Sequence, residues 1–210
     1  MKLFHSHGSP NARRVRIFLA EKGITLALEG CWDRIGMSLN KAYLERYPFR
    51  LMPMLELDDG SQLGESIAIC RYFEALYPQP SLFGRDALEQ AVTEMWLQRV
   101  CIDGEIGAEE IFRNSHPAFV DRGLAGSAER VPQIAALVDR GKSRVMRLLR
   151  ILNMQLCKQA FVAGPLFSMA DIAALCAVDF AKVCGIDVPQ DLASVRRWYA
   201  DVSARPTAKA

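Results

Sequence analysis

The chain has 210 residues, 50% hydrophobic and 24% charged, which is ordinary globular composition and excludes a collagen-like, low-complexity or disordered protein. Its 26 Lys and Arg against 24 Asp and Glu leave a net charge of +2, too small for broad attraction to nucleic acid, so no nucleic-acid partner is expected. No apolar run approaches the roughly 18 residues of a membrane helix, no apolar core follows Lys2 as in a signal peptide, and six cysteines without CxxC or paired metal spacing read as reduced thiols of a cytoplasmic protein.

In chain order, Lys2 to His5 predicts a short strand. Ser9-Pro10-Asn11 then opens a helix whose apolar stripe is Val15, Phe18 and Leu19 and whose stop is Lys22-Gly23. Thr25 to Cys31 reads as a second strand and Ser38 to Arg46 as a short helix. Met54 to Leu57 predicts a third strand that turns at Asp59-Gly60 into a fourth, Ser61 to Leu63. A helix from Glu65 to Tyr77 is expected to bury Ile69, Phe73, Leu76 and Tyr77. The order is βαβ, a helix, then ββα.

Pro78, Pro80 and Gly84 mark a boundary. An α/β domain is therefore expected over 1–78, a linker over 79–87 and an all-α domain over 88–210. In the latter, Leu88, Val92, Met95 and Trp96 predict the buried stripe of a long helix, and Asn114 to Pro132 a loop. Ile134, Leu137, Val138, Val145, Leu148, Leu149, Leu152 and Leu156 trace one face of a second long helix. Another helix begins at Ser168, and Asp191 to Ala204 forms the last, ended by Pro206.

Three stretches together carry a resemblance. They are Ser9-Pro10-Asn11 with Arg13 to Ile24; Met52-Pro53-Met54 running to Glu65-Ser66-Ile67-Ala68-Ile69; and Ala163-Gly164 followed by Phe167-Ser168-Met169-Ala170-Asp171-Ile172. In order and spacing, over nearly the whole chain, they resemble the cytosolic glutathione transferase superfamily, in its bacterial Ser/Thr-Pro-Asn form. The resemblance implies a thioredoxin-like N-terminal domain, a helical-bundle C-terminal domain and a homodimer. It also implies glutathione as co-substrate with a small electrophile or disulfide as its partner, and no metal.

The residues suit that chemistry. A thiol with a pKa near 8.5 needs a shift of about 2 units, or roughly 2.7 kcal/mol, to be mainly thiolate at neutral pH. One hydrogen bond to the charged sulfur contributes about 1.5–3 kcal/mol and a helix N-terminus up to about 2 kcal/mol. By resemblance, Ser9 and Asn11 contact the glutathione sulfur; in an arbitrary protein the same pair would simply cap the helix. Resemblance also makes Pro53 a cis proline that frees the Met52 backbone to pair with the cysteinyl unit, and gives the γ-glutamyl group to Glu65 and Ser66. An anion at that helix start is favoured in any case, and ordinary capping is the alternative. Tyr-type relatives find no counterpart, since Phe4 has no hydroxyl, and Cys-type relatives find no cysteine near residue 9.

Ser168 and Asp171 fit a capping box with Phe167 and Ile172 as a staple, a structural motif for which Asp171→Ala is expected to cost about 0.5–2 kcal/mol. Arg13, Arg14 and Arg16 read as a solvated or interface face rather than a phosphate site. His5 and His7 lack a third metal ligand. Trp96, Arg99, Phe112 and Met95 are candidates for an acceptor pocket or for core, with Asp103 and Glu105 as possible neighbours. The family's common Asn-Pro-x-Gly-x-Val-Pro becomes Tyr47-Pro48-Phe49-Arg50-Leu51-Met52-Pro53 here. Arg50 therefore falls where a glycine often has positive φ, and could pair with the glycyl carboxylate. Ser38 and Lys41 are further candidate contacts near the glycyl end. A non-catalytic interaction module and a carrier of apolar ligands remain alternatives.

Overall fold

The computed structural model describes residues 1–31 and 41–210. Ser38, and the first part of the helix expected over Ser38 to Arg46, lie outside the described residues. The N-terminal part is built from β1 (Lys2–His5), α1 (Pro10–Glu21), β2 (Ala27–Gly30), α2 (Lys41–Arg46), β3 (Met54–Glu56), β4 (Gln62–Gly64) and α3 (Ser66–Leu76). The strands lie in the order β2-β1-β3-β4, with β2 parallel to β1 and the other pairings antiparallel. This is the expected thioredoxin-like frame. Helices follow: α4 (Ala87–Arg99), a π-helical segment (Val100–Glu105), α5 (Ile106–Ser115), α6 (Ala135–Leu156), α7 (Met169–Val183) and α8 (Ala193–Ser203).

The ends of α1 and the start of α7 have local causes. Ser9 caps α1 and Pro10 occupies its first turn, where a missing N–H costs nothing. Gly23, at φ 67, stops it. Val15, Phe18 and Leu19 are buried as their spacing implied. α7 is apolar on nearly every side, from Met169 to Val178, because it runs through the middle of the helical domain. At its start the capping box is complete. The Asp171 carboxylate accepts from Ser168 N (3.0 Å), Ser168 Oγ (3.0 Å), Val162 N (2.9 Å) and Trp198 Nε1 (2.9 Å).

Of the two readings of the α1 arginines, a solvated or an interface face, the structure removes the first: Arg14 and Arg16 are 2% and 8% exposed. Arg13 bonds Asp179 and the Ala208 carbonyl; Arg14 bonds Ser66 and Glu105; Arg16 reaches His5 Nδ1 and the Ser6 and His7 carbonyls. These bonds pin α1 between sheet and helical domain. Lys22 works similarly, bonding Glu74 and the Tyr77 and Pro80 carbonyls to fix the chain leaving α3.

Four apolar residues expected in the core lie on the surface instead: Leu76 (49%), Tyr77 (51%), Leu88 (73%) and Met95 (56%). Tyr77 is already past the end of α3. On α4 the buried side is Thr93, Trp96 and Leu97, so the Leu88–Met95 stripe faces outward. The last helix, α8, stops at Ser203, ahead of Pro206 as expected, and Pro206–Lys209 adds a 3-10 turn.

Candidate functional site

The sheet register brings three separated stretches to one edge. Phe4 pairs with Met54, and Met54 with Gly64. The residues after Phe4, before Met54 and after Gly64 therefore leave the sheet at the same end. They are Ser9 and Asn11, Met52 and Pro53, and Glu65 and Ser66. Two helices, α1 and α3, begin at this end, so two sets of free N–H groups and two positive dipole ends face it.

Ser9 and Asn11 are half-buried. Ser9 Oγ accepts from Ala12 N at 3.3 Å, a long cap bond that leaves the hydroxyl hydrogen free to donate elsewhere. Capping and contact with a ligand are thus compatible for this residue. The Met52–Pro53 bond is cis. Pro53 is buried, and the half-buried Met52 side chain lies against Cys31, Sδ to Sγ 3.8 Å. Arg50 has φ 55, the left-handed conformation that the Gly-to-Arg departure implied, and its N–H closes a turn onto the Tyr47 carbonyl at 3.1 Å.

Glu65 also has positive φ, 61°, with ψ 115°, and α3 has no side-chain cap. Such backbone is strained for a residue with a Cβ, and strain of this kind concentrates where ligands are held. Glu65 is exposed, while Ser66 is buried with its Oγ 2.9 Å from Arg14 Nη1. The reason for a glycine just before them is Tyr47: a Cβ on Gly64 would collide with the Tyr47 hydroxyl. That hydroxyl is buried without a partner among the described residues, and burial together with the nearby Glu65 charge raises its pKa.

Burial makes five of the protein's six thiols poor nucleophiles. Burial pushes Cys31, Cys176 and Cys184 up to about 11, and raises Cys70 and Cys101 as well. Cys31 sits at the same sheet end, its Sγ 3.2 Å from the His5 carbonyl. His5 is buried against His7 (ring centroids 4.9 Å apart), and burial, Arg16 and His7 all lower its pKa, so it is a neutral core imidazole. No group of three or more metal-ligating side chains occurs among the described residues.

A cleft of about 530 Å³ adjoins Glu65, lined by Pro48, Phe49, Leu51, Ala125 and Gly126. Its far wall is the α5–α6 connection, which crosses onto the Arg50 segment. Gly126, at φ 74, comes so close that a Cβ would lie 2.9 Å from the Phe49 carbonyl oxygen. The residues expected around an acceptor do not line this cleft. Trp96 is core and Met95 faces out. Phe112 packs on His116, Phe119 and Phe180. Asp103 is fully buried, gripped by Arg147 at 2.7 Å and joined by Arg99 at 3.4 Å. Glu105 bonds Arg14. Lys41 is exposed and pairs with Glu45 at 3.6 Å.

Sequence reasoning singled out Arg14 and Glu105 without joining them: their contact with each other, that of Arg14 with Ser66, and the π-helical segment that carries Glu105 were not anticipated. The only cue to them was the density of arginines on an otherwise apolar helix.

A thioredoxin-like sheet with two helix starts at one end, followed by a helical domain, defines the class. Comparison with known proteins makes it specific. Residues 3–81 match the glutathione S-transferase N-terminal domain, and residues 116–206 match the C-terminal domain. The chain is 31% identical to a glutathione S-transferase domain-containing protein of Marinobacter aquaeolei, with a TM-score of 0.86 over 99% of both chains. It is 32% identical to a class Gtt2 glutathione S-transferase of Vibrio parahaemolyticus, with a TM-score of 0.82 over 99% of this chain and 94% of the other. Glutathione S-transferase 2 of Saccharomyces cerevisiae is 29% identical over 213 residues, spanning 100% of this chain and 88% of the relative. The chain belongs to the cytosolic glutathione transferase superfamily.

Proposed function

We propose that this protein binds reduced glutathione at the sheet edge, holds its thiol as thiolate, and delivers it to an electrophile or disulfide in the adjoining cleft. The observation that carries the reading is the convergence of two helix starts at one sheet end: Ser9 caps α1 only through a long bond of 3.3 Å, and α3 has no side-chain cap among the described residues. Ser9 and Asn11 are the catalytic residues, donating to the sulfur. Cis-Pro53 leaves the Met52 backbone to pair with the cysteinyl unit. Ser66 takes the γ-glutamyl carboxylate, Glu65 its ammonium, and Arg50 the glycyl carboxylate.

The nucleophile comes from the co-substrate because the buried thiols of the chain stay protonated near neutrality. A thiolate placed against the acceptor gains from proximity as well as from its lowered pKa. It forms the new bond to carbon or sulfur while the leaving group takes the displaced electron pair. The cleft walls Phe49, Leu51, Ala125 and Gly126 favour an acceptor with an apolar body. Residues 1–78 form the glutathione-binding domain, 79–87 the linker and 88–210 the helical domain. The outward stripe of Leu88, Met95 and Ile102 supports a homodimer. We place the protein in the cytoplasm. Among the described residues no helix is long and apolar enough to cross a membrane.

Calorimetric titration with reduced and then oxidised glutathione tests the reading. Saturable binding of the reduced form supports it, and tighter binding of the oxidised form shifts the reaction to disulfide reduction. Failure of both to bind overturns it in favour of a non-catalytic interaction module, the reading that Tyr47 and Arg50 at the site favour.

A further inference from the structure

We infer that Arg14 is the positioning residue of the site at the start of α3, and that Glu105, from the helical domain, is the counter-charge that moderates it. The inference rests on the reading that Ser66 receives a carboxylate. It starts from hydrogen-bond valence. A guanidinium only donates, so at 2.9 Å Ser66 Oγ must accept from Arg14 Nη1. The Ser66 hydroxyl has one hydrogen, and within the described residues it has no acceptor for it. Arg14 thus turns that hydrogen away from itself, toward the end of α3 where an anion is favoured by the free N–H groups.

Charge adds to direction. Arg14 is 2% exposed, and a cation in that setting acts through little intervening water. Its second amino group is held by Glu105, and its Nε has no partner among the described residues. Glu105 reaches it from the π-helical segment between α4 and α5, an irregularity that often accompanies function. One guanidinium therefore joins the Ser66 site, α1 and the helical domain. A carboxylate arriving at Ser66 shares the Arg14 charge with Glu105. Occupancy of the site and the seam between the two halves of the molecule become linked through it.

This gives opposite signs to two substitutions in the same part-buried pair. Arg14→Lys loses the fork that spans Ser66 and Glu105 and is expected to weaken binding of reduced glutathione by about 10-fold. Glu105→Gln keeps the size and releases the Arg14 charge, so binding is expected to tighten by about 3-fold even as the unliganded protein loses stability. A purely structural pair would make both variants bind more weakly.

The experiment is calorimetric titration of wild type, Arg14→Lys and Glu105→Gln with reduced glutathione and with its analogue carrying a 4-aminobutyryl unit, which lacks the γ-glutamyl α-carboxylate. The expected result is opposite shifts for glutathione and nearly equal affinities of all three proteins for the analogue. The same sign in both variants, or equal shifts for the two ligands, overturns the inference. If Arg14→Lys fails to fold, the sign of Glu105→Gln alone decides. Should Glu105→Gln prove too unstable for calorimetry, the glutathione-induced rise in its melting temperature replaces it: larger than in wild type supports the inference, equal or smaller contradicts it. Wild type that binds no glutathione is a different failure, that of the proposed function itself.

Discussion

Two helices of this molecule begin with the same kind of polar residue and finish their hydrogen bonds differently. At the start of α7, Asp171 gathers four donors, two from Ser168 and one each from Val162 and Trp198. Nothing is left over, and Asp171 is fully buried. At the start of α3 there is no side-chain cap, the backbone at Glu65 is strained, and Ser66 accepts from Arg14 while its own hydrogen goes unused within the described residues. The first arrangement satisfies itself and holds the fold. The second leaves the Ser66 hydrogen and the first N–H groups of α3 without a side-chain partner among the described residues. The type of residue at a helix start therefore says little about its role; the count of satisfied donors says more.

The comparison can be broken by substitution, and the largest effect is expected at the closed start. Asp171→Ala strands several buried donors, among them the Trp198 indole, and should cost about 3 kcal/mol. That exceeds the 0.5–2 kcal/mol appropriate to a simple cap. Thermal denaturation should show a melting temperature lower by about 6–12 °C, with glutathione affinity preserved in the fraction that remains folded. Normal stability with lost affinity would reverse the assignment.

At the helix starts on the sheet edge the pattern should invert. Ser9→Ala is expected to lower kcat/KM by about 10- to 100-fold, while costing no more than about 1 kcal/mol of stability, because the cap it provides is long. Steady-state kinetics alongside thermal denaturation separates the two. A smaller effect still is expected beside the site. Tyr47→Phe removes a buried hydroxyl that has no partner among the described residues, so stability should stay within about 1 kcal/mol of wild type or rise. A clear loss would mean that the hydroxyl has a bonding role.

The smallest effect concerns pH. Burial, with Arg16 and His7, lowers the pKa of His5 in the folded protein below its unfolded value near 6.5. Between those two values the unfolded chain binds the extra proton, so stability falls as pH drops below about 6.5 and levels off once the folded form is also protonated. His5→Phe should flatten that slope in denaturant titrations across this range. An unchanged slope would assign it to other groups.

Much of this was legible beforehand, for local reasons. Alternation and turn residues mark β3 and β4, a Ser-Pro start and a Lys-Gly stop mark α1, and an X-Pro before a strand, in a familiar setting, marks the cis bond. Even the left-handed Arg50 followed from seeing an arginine where relatives have glycine. What stayed hidden depends on partners far away in the chain. Arg14 looks like a surface residue until Glu105, 91 positions on, is found beside it. The π-helical segment that carries Glu105 has no apolar period of its own to announce it. Leu88 and Met95 fit a core spacing, but periodicity marks a stripe without saying what covers it.

The central claim is that the helix starts on the sheet edge hold a thiolate. It is tested most directly by following the ultraviolet absorbance of the thiolate of glutathione bound to the protein as pH is varied, in wild type and in Ser9→Ala. The account expects the bound thiol of the wild type to be half-ionised near or below pH 7, about 2 units under the free value, and expects Ser9→Ala to move it back by about 1 unit or more. A wild-type complex whose thiol titrates like that of free glutathione would contradict it.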